Sequence, residues 1–365
     1  MRITRVRAGA HKVHNVMTGW KMALGGSDSH ELIFVWIDTD DKVFGIGVAS
    51  PGQIFISGDT QIHHLELINN ILGPAIVGAN PFELEAITHK LDSLAKAAER
   101  AKAGIDLALH DLMGKALGVP ANQLFGGVVH PRVRVTRLMG MYEPQEMAEK
   151  SKALVEKGYT ALKLKVGTTF EEDVERVKRV REAVGSGVMI TVDFNQACSP
   201  KEAIRRIQKM EPYDVAIVEQ PVKEADLRGM AVVRQSVQPL VMADESVRSS
   251  PEVLRIIESG AADVISLKIP KMGGIFKARK VAAVCEAAGI EYLVGTAPGS
   301  RLLDAASVHL ATSLRDLKLP CEVGEFERMA DDACAGFEIL HGFACPPAGA
   351  GLGLEVDLGK LGLAG

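Results

Sequence analysis

The chain has 365 residues and a formal charge of −4, with 42 lysines and arginines against 46 aspartates and glutamates. Hydrophobic residues make up 47% and charged residues 24%, which excludes a largely disordered or collagen-like chain. The near-neutral charge and an aromatic content of 5% disfavour nucleic acid as a partner. There is no run of roughly 18 apolar residues for a membrane helix, no apolar signal core at the N-terminus, and no paired spacing among the cysteines. We therefore expect a soluble, cytoplasmic protein without a membrane partner.

The first 127 residues are predicted to form an α+β domain. Three strand-like runs are expected to pair antiparallel, the last two through Asp40-Asp41: residues 3–8, 31–38 and 43–48. Helical segments follow at residues 81–94 and 101–117, and Gly118 and Pro120 are expected to end the second.

The rest of the chain alternates β-rich runs with helix-like stretches. Eight such runs occur, at residues 133–139, 161–166, 189–195, 215–220, 239–243, 264–269, 291–295 and 321–325. Alternating strands and helices predict parallel βαβ units, and eight units predict an α/β protein with a (β/α)8-type, or TIM-type, barrel. An open doubly wound sheet is the alternative, but no Gly-rich phosphate turn follows an early strand.

Three acids, Asp193, Glu219 and Asp244, end three consecutive predicted strands. Active sites of parallel barrels lie at these C-terminal strand ends, so the three carboxylates are expected to meet there. They would repel one another unless a cation lay between them, and all-oxygen ligands favour Mg²⁺ over zinc.

Three lysines are predicted beside these acids. Lys163 and Lys165 are two residues apart on one strand and so share a face, while Lys268 lies on the sixth predicted strand. Lys165 and Lys268 are expected to flank the acids from opposite sides. The alternative is that all six charges are salt-bridged groups of the barrel core.

The motifs that carry these residues occur in a fixed order along the chain. They are Lys163-x-Lys165, Asp193-x-Asn195, Glu219-Gln220-Pro221, Asp244-Glu245-Ser246 and Lys268-x-x-Lys271-x-Gly273-Gly274. As an ordered set they resemble the enolase superfamily, and within it the muconate lactonizing enzyme subgroup of the mandelate racemase/muconate lactonizing enzyme family. The resemblance extends over nearly the whole chain.

The resemblance implies a modified barrel under a capping domain. We expect the capping domain at residues 1–127, the barrel at 128–344, and a tail at 345–365 that packs back on the capping domain. Relatives are often symmetric oligomers, so a homo-oligomer is expected by analogy.

By matching position, the resemblance also implies roles for individual residues. Asp193, Glu219 and Asp244 would bind Mg²⁺, Lys165 and Lys268 would be the two acid/base groups, Lys163 would contact the substrate carboxylate, and Asn195 and Glu245 would support the metal site. Further substrate contacts are expected from Trp20 and Phe55 in the capping domain and from Thr296 and Glu325 in the barrel. The Asp-x-Asp pair with which dipeptide epimerases hold a substrate ammonium group is absent, which disfavours that activity without excluding amino-acid derivatives as substrates.

The implied chemistry is Mg²⁺-dependent abstraction of the α-proton of a small carboxylate through an enediolate. Two opposed lysines favour a racemase, epimerase or cycloisomerase. A dehydratase that removes water from a hydroxylated carboxylate, or from an imino acid such as a hydroxyproline, is the alternative, and an inactive binding homologue is a third reading. Cationic neighbours, the metal and Lys163, are expected to lower the pKa of the catalytic lysine toward roughly 7–8.

Overall fold

The computed structural model describes residues 1–16, 20–23, 25, 28–51 and 58–362. Its N-terminal part is an antiparallel sheet of β1 (Ile3–Asn15), β2 (Ser29–Thr39) and β3 (Phe44–Ala49), joined by β12 (Met329–Ala330) from the far end of the chain. The predicted antiparallel pairing is confirmed. β1 is longer than predicted. Its second half is mostly polar, so the sequence pattern did not indicate a strand there, but its backbone pairs with β2.

Helices cover one face of this sheet. They are α1 (Gln61–Leu67), which continues as a π-helix (Ile68–Leu72), α2 (Gly73–Ile76), α3 (Leu84–Leu94) and α4 (Glu99–Leu117). The backbone of α4 lies directly on β3, since a side chain at Gly47 would clash with the Gly104 carbonyl oxygen. The predicted end of α4 is confirmed at Gly118, which adopts a left-handed conformation (φ 68°) suited to glycine.

A curled parallel sheet forms the rest of the molecule. Its seven strands are hydrogen-bonded in sequence order: β5 (Thr136–Met139), β6 (Ala161–Lys165), β7 (Met189–Asp193), β8 (Val215–Glu219), β9 (Leu240–Ala243), β10 (Val264–Leu267) and β11 (Glu291–Val294). The predicted barrel is confirmed, and the open-sheet alternative is wrong, because the eighth run connects the two edges. Cys321 bridges in parallel to Val135, and the Glu322 N–H donates to the Val294 carbonyl (2.8 Å).

The eighth run is too short to count as a full strand. Gly324 follows with a left-handed backbone (φ 102°), and the chain turns into a 3-10 helix, Glu325–Arg328. The short strand therefore places the residues of this turn at the C-terminal mouth of the barrel.

Helices pack around the outside of the barrel. They are α5 (Pro144–Glu156), α6 (Phe170–Val184), α7 (Pro200–Met210), α8 (Leu227–Ser236), α9 (Ser250–Ser259), α10 (Ile269–Met272), α11 (Ile275–Ala288) and α12 (Ser300–Ser313). Thr169 and Ser199 cap α6 and α7 by accepting a hydrogen bond from the third backbone N–H. Strand side chains alternate, so Leu162 and Leu164 face these helices while Lys163 and Lys165 face the barrel interior. No helix within the described ranges is long and apolar enough to cross a membrane.

The remaining elements are short. Besides 3-10 turns at Ala121–Phe125 and Glu211–Tyr213, they are the two-residue strands β4 (Val133–Arg134), β13 (Cys334–Ala335), β14 (Ile339–Leu340), β15 (Phe343–Ala344) and β16 (Glu355–Val356).

Candidate active site

The charged residues singled out in the sequence lie side by side at one end of the barrel. In the parallel register Lys165 is opposite Asp193, and Asp193 is opposite Glu219. Asp244 and Lys268 directly follow β9 and β10. We call Asp193, Glu219 and Asp244 the acid row. Regular strand pairing therefore suffices to gather these residues at the carboxyl edge of the sheet.

Each end of the acid row carries one of the two predicted acid/base lysines. The Lys165 ammonium donates to Asp193 Oδ2 (2.5 Å), and the Lys268 ammonium donates to Asp244 Oδ2 (2.5 Å). The Lys163 ammonium lies between them, paired with Asp193 (3.1 Å) and in contact with Glu219. The structure thus places Lys165 and Lys268 on opposite flanks of the same carboxylates.

Two further charged groups extend this network. Glu322, at the eighth run, accepts from Lys163 (2.9 Å), and Lys271 pairs with Asp244 (2.5 Å). Neither was selected from the sequence as a site residue. Lys271 follows Lys268 by three residues, a spacing that places two residues on one side of a helical turn. The sequence therefore did contain a signal that Lys271 lies near Lys268.

The carboxylates dominate the electrostatics around the lysines. Burial alone would lower the pKa of Lys268, but Asp244 outweighs it and raises that pKa above its usual value. Burial likewise opposes the charge on Lys163, and Asp193 and Glu219 raise its pKa well above the usual value. The protein's own charges therefore do not prepare Lys268 as a base, and the lowering expected from the sequence depends on a bound cation.

The acid row is not evenly neutralised. Burial opposes ionisation of Asp193, but Lys163 and Lys165 outweigh it and hold its pKa below the usual value. At Glu219, burial and the neighbouring Asp193 raise the pKa well above the usual value. Glu219 is fully buried, and although it contacts Lys163, neither of its oxygens makes a hydrogen bond of ordinary geometry.

These observations bear on whether the acid row suits a metal. Across the described ranges, no three His, Cys, Asp or Glu side chains converge closely enough to enclose an ion, and lysine ammonium groups lie against the acids instead. The donor set itself fits a hard divalent cation: three carboxylates on adjacent strands, with both Glu219 oxygens lacking hydrogen bonds. Mg²⁺ is the ion that this chemistry favours.

Two predicted supporting residues connect the ends of the acid row. The Asn195 backbone N–H donates to Asp193 Oδ1 (2.9 Å), while its side chain accepts from Lys165 (3.0 Å) and donates to Glu245 (3.2 Å). Asn195 has a left-handed backbone (φ 42°), which asparagine tolerates better than most residues. Burial, reinforced by Asp244, raises the pKa of Glu245 to about 7.

A cavity of about 330 Å³ opens above these groups. The predicted residues that line it are Trp20, Lys163, Lys165, Asn195, Asp244, Glu245, Lys268, Thr296 and Glu325. Asp193 and Glu219 lie behind the lysines with no exposed surface. Phe55 lies outside the described residues.

Several titratable lining residues were not selected as site residues in the sequence analysis. They include His30, Arg100, Arg248, Lys271 and Arg328. His30 and Arg100 belong to the N-terminal part, where no pattern connects them with the barrel. Arg328 lies in the turn after the eighth run, three residues beyond Glu325, so a search extended past the strand end would have included it.

Family models match both parts of the chain. Residues 7–126 match the "Mandelate racemase / muconate lactonizing enzyme, N-terminal domain", and residues 146–360 match "Enolase C-terminal domain-like". The chain therefore belongs to the mandelate racemase/muconate lactonizing enzyme family and is an enzyme of the enolase superfamily. This confirms the resemblance read from the motifs.

Individual relatives cover most of the chain. A hydrophobic dipeptide epimerase of Enterococcus faecalis is 40% identical over 87% of this chain and 89% of its own. An N-succinyl-L-Arg/Lys racemase of Bacillus cereus is 36% identical over 77% of this chain and 76% of its own. The crystal structure of the dipeptide epimerase from E. faecalis V583, complexed with Mg and the dipeptide L-Leu-L-Tyr, superposes with a TM-score of 0.93 at 36% identity, over 97% of this chain and 100% of that chain.

Proposed function

We propose that this protein is a Mg²⁺-dependent racemase or epimerase that inverts the α-carbon of an amino-acid carboxylate presented as an N-acyl derivative or a dipeptide. The relatives described above act on substrates of these two kinds, according to their names. Of the reactions considered for this family, inversion of the α-carbon uses both lysines as acid/base groups.

The observation that carries the proposal is the placement of Lys165 and Lys268. Their ammonium groups lie on the two end carboxylates of the acid row, Asp193 and Asp244, and both line the same cavity. A substrate α-carbon held above the acid row would have one lysine on each face. This is the arrangement that a transfer of one proton from face to face requires.

The reaction begins when one of the two lysines, in its neutral form, takes the α-proton and the C–H electron pair moves into the substrate carboxylate, which gives an enediolate. The other lysine, protonated, then returns a proton to the opposite face. Asp193, Glu219 and Asp244 would hold Mg²⁺, which when bound would supply positive charge against the second negative charge of the enediolate. Lys163 supplies a further positive charge at the centre of the row.

The acid row controls the protonation state of Lys268. Asp244 favours the charged form of Lys268 and raises its pKa. A divalent ion that neutralised the carboxylates would remove this cause and disfavour a second nearby charge, so the pKa would fall toward the range of a general base.

The proposal is tested by α-proton exchange in D₂O with Mg²⁺, followed by NMR on N-succinyl amino acids, N-acetyl amino acids and dipeptides. We expect solvent deuterium at the α-carbon of both stereoisomers. Lys165→Ala and Lys268→Ala should each reduce interconversion by about 10²–10⁴-fold, and each should retain exchange for one stereoisomer only, opposite in the two variants. Lys152→Ala, an exposed lysine on α5, is the matched control and should behave as the parent.

Each other outcome identifies a different reaction. Exchange accompanied by loss of water would make the protein a dehydratase, and ring formation without inversion would make it a cycloisomerase. No exchange across the whole panel, with Mg²⁺ bound, would favour a binding homologue over an enzyme of this specificity.

A further inference from the structure

The segment between β10 and α11 carries two of the lysines that line the cavity. Lys268 directly follows β10, Lys271 lies in the short helix α10, and Gly273 and Gly274 lead into α11. We call residues 268–274 the lysine turn. Strand pairing fixes β10 only as far as Leu267, which is opposite Val294 of β11. Beyond that point, the direction of Lys268 depends on what holds the rest of the lysine turn.

The far end of the lysine turn is held by a side chain of the N-terminal domain. Asp106, a buried residue of α4, accepts hydrogen bonds from the backbone N–H groups of Ile275 (2.6 Å) and Phe276 (3.4 Å). These are the first two residues of α11, whose N–H groups have no acceptor within the helix. A carboxylate at this end also interacts favourably with the helix dipole. Asp106 therefore caps α11 from another domain.

Gly274 adapts the lysine turn to this contact. Its backbone has a φ of 120°, which residues with a side chain rarely adopt, and a Cβ at this position would lie 2.2 Å from Asp106 Cγ. Any side chain here would push the carboxylate away from α11. The glycine thus has a physical reason, since it leaves room for a side chain that arrives from α4.

Asp106 is itself held in place. His110, one turn further along α4, places Nδ1 2.8 Å from the Asp106 carbonyl oxygen and 3.2 Å from Oδ1. A second link joins the same parts of the molecule, because Asp92 of α3 accepts from Lys102 of α4 (2.7 Å) and from Lys277 of α11 (2.6 Å). The start of α11 is therefore fixed against the N-terminal domain.

The other acid/base lysine is supported differently. Lys165 ends β6, and its ammonium donates to Asp193 (2.5 Å) and to Asn195 (3.0 Å), which lie at the end of β7. Both partners belong to the barrel. Lys165 thus depends on neighbouring strands, whereas Lys268 stands on a turn that is anchored to α4.

We propose that Asp106 is a positioning residue for Lys268: by capping α11 it fixes the lysine turn, so that the N-terminal domain aims the acid/base group on one face of the substrate and not the one on the other. The inference rests on the proposed function, since it assigns a further residue to the same reaction. Within the part of the chain that the structure describes, Asp106 does not line the cavity, and so it acts through the backbone of the lysine turn.

The first test measures loss of the α-proton from each stereoisomer separately, in D₂O with Mg²⁺. The isomer that Lys268 deprotonates is the one whose exchange survives in Lys165→Ala. In Asp106→Ala the exchange of this isomer should fall about 10- to 100-fold, because proton transfer is steeply sensitive to misplacement of the base. Exchange of the other isomer should change less than about threefold. Both rates come from one preparation, so a partial loss of folded protein cancels in their ratio.

Asp111→Ala is the matched control. Asp111 is a buried carboxylate of the same helix that also accepts from two backbone N–H groups, those of Ile46 and Leu352, which lie outside the lysine turn. This variant should leave the ratio of the two exchange rates at the parent value. An equal fall for both isomers in Asp106→Ala, or an unchanged ratio, would overturn the proposal.

A conservative variant covers the case in which Asp106→Ala does not fold. Asp106→Asn keeps one acceptor oxygen but loses the charge and the second acceptor, and charge-assisted hydrogen bonds are stronger than neutral ones. It should shift the ratio in the same direction by several-fold. A parent-like ratio in Asp106→Asn, with Asp106→Ala unfolded, would also overturn the proposal.

Amide hydrogen exchange separates this inference from the proposed reaction. In the Mg²⁺-loaded protein, followed by mass spectrometry, Asp106→Ala should speed exchange in residues 268–276 by at least about tenfold and leave residues 161–168, at the end of β6, unchanged. Failure of the proposed function would leave this difference intact but give no α-proton exchange in the parent. Parent-like amide exchange in residues 268–276, with α-proton exchange present, would refute the role of Asp106 alone.

Discussion

At the scale of single residues, Asn195 joins the groups that the proposed reaction uses. It contacts Asp193, Lys165 and Glu245 at once, and its left-handed backbone turns the chain directly after β7. Residues that hydrogen-bond to metal ligands orient those ligands, and their loss typically weakens metal binding or activity.

We predict that Asn195→Ala weakens Mg²⁺ binding or activity by about 10- to 100-fold, since Lys165 and Glu245 lose the amide that holds them. Mg²⁺ titration by calorimetry, alongside the activity at saturating Mg²⁺, measures both effects. Asn70→Ala, at an exposed asparagine of the N-terminal part, is the control. If Asn195→Ala bound Mg²⁺ and catalysed the reaction as well as the parent, Asn195 would have no part in supporting the site.

Glu219 gives a second prediction at this scale. Because its buried oxygens lack hydrogen bonds, Mg²⁺ should stabilise the folded state, by about 2.7 kcal/mol at a hundredfold excess over Kd. We expect Tm to rise with Mg²⁺ and to fall back with a chelator, and Glu219→Gln to abolish the rise. The exposed Glu258→Gln should keep it. An unchanged Mg²⁺ response in Glu219→Gln would exclude Glu219 as a ligand.

At the scale of elements, α12 connects the barrel mouth with the C-terminal tail. Asp304 on its inner face holds the turn of Arg328, and His309, one turn further on, lies 3.3 Å from the Leu352 carbonyl oxygen through Nε2. Burial lowers the pKa of His309 to about 4, so this buried imidazole stays neutral at pH 7.

This lowered pKa predicts a dependence of stability on pH. The folded state binds a proton on His309 only near pH 4, whereas the unfolded chain binds it near pH 6.5, so stability is lost as the pH falls between these values. The loss attributable to His309 is about 2–3 kcal/mol at pH 4.5.

Denaturant unfolding at pH 7 and at pH 4.5 measures the difference. In His309→Gln the decrease in unfolding free energy between the two pH values should be smaller by that amount, while His89→Gln, at an exposed histidine, should retain the full decrease. An equal decrease in unfolding free energy between pH 7 and pH 4.5 in the parent and in His309→Gln would contradict the lowered pKa of His309.

At the scale of the whole molecule, α4 connects three parts of the chain through Asp111. This buried carboxylate accepts from the backbone N–H groups of Ile46 in β3 and Leu352 in the tail (2.9 Å each) and pairs with Lys115 (2.5 Å). Asp106 on the same helix accepts from the Ile275 N–H of α11 (2.6 Å). These contacts support the proposal that residues 345–365 pack back on the N-terminal domain.

We predict that Asp111→Ala lowers the free energy of unfolding by about 2–5 kcal/mol, because two buried N–H groups lose their acceptor. Thermal or denaturant unfolding measures the loss. Asp41→Ala, at a carboxylate 56% exposed, should change stability by less than about 1 kcal/mol. If Asp111→Ala were equally mild, the tail would be held by other contacts.

The sequence alone predicted the barrel and the order of its charged residues. Regular βα spacing implies parallel strands, and parallel strands bring their carboxyl ends to one edge, so the acid row and its lysines follow from position along the chain. The two-fold alternation of strand side chains was enough to turn Lys163 and Lys165 to the same face.

Only the tertiary structure decided how those charges are paired and what else faces them. His30 and Arg100 come from the N-terminal domain, and Arg328 from a turn whose position depends on the shortened eighth strand; no local periodicity connects them with the barrel. The direction of the Lys268 pKa also depended on distances, since Coulomb energy is set by separation and burial rather than by order in the chain. The sequence thus indicated the two candidate acid/base lysines, Lys165 at the end of β6 and Lys268 directly after β10, whereas contacts between distant segments build the rest of the cavity wall.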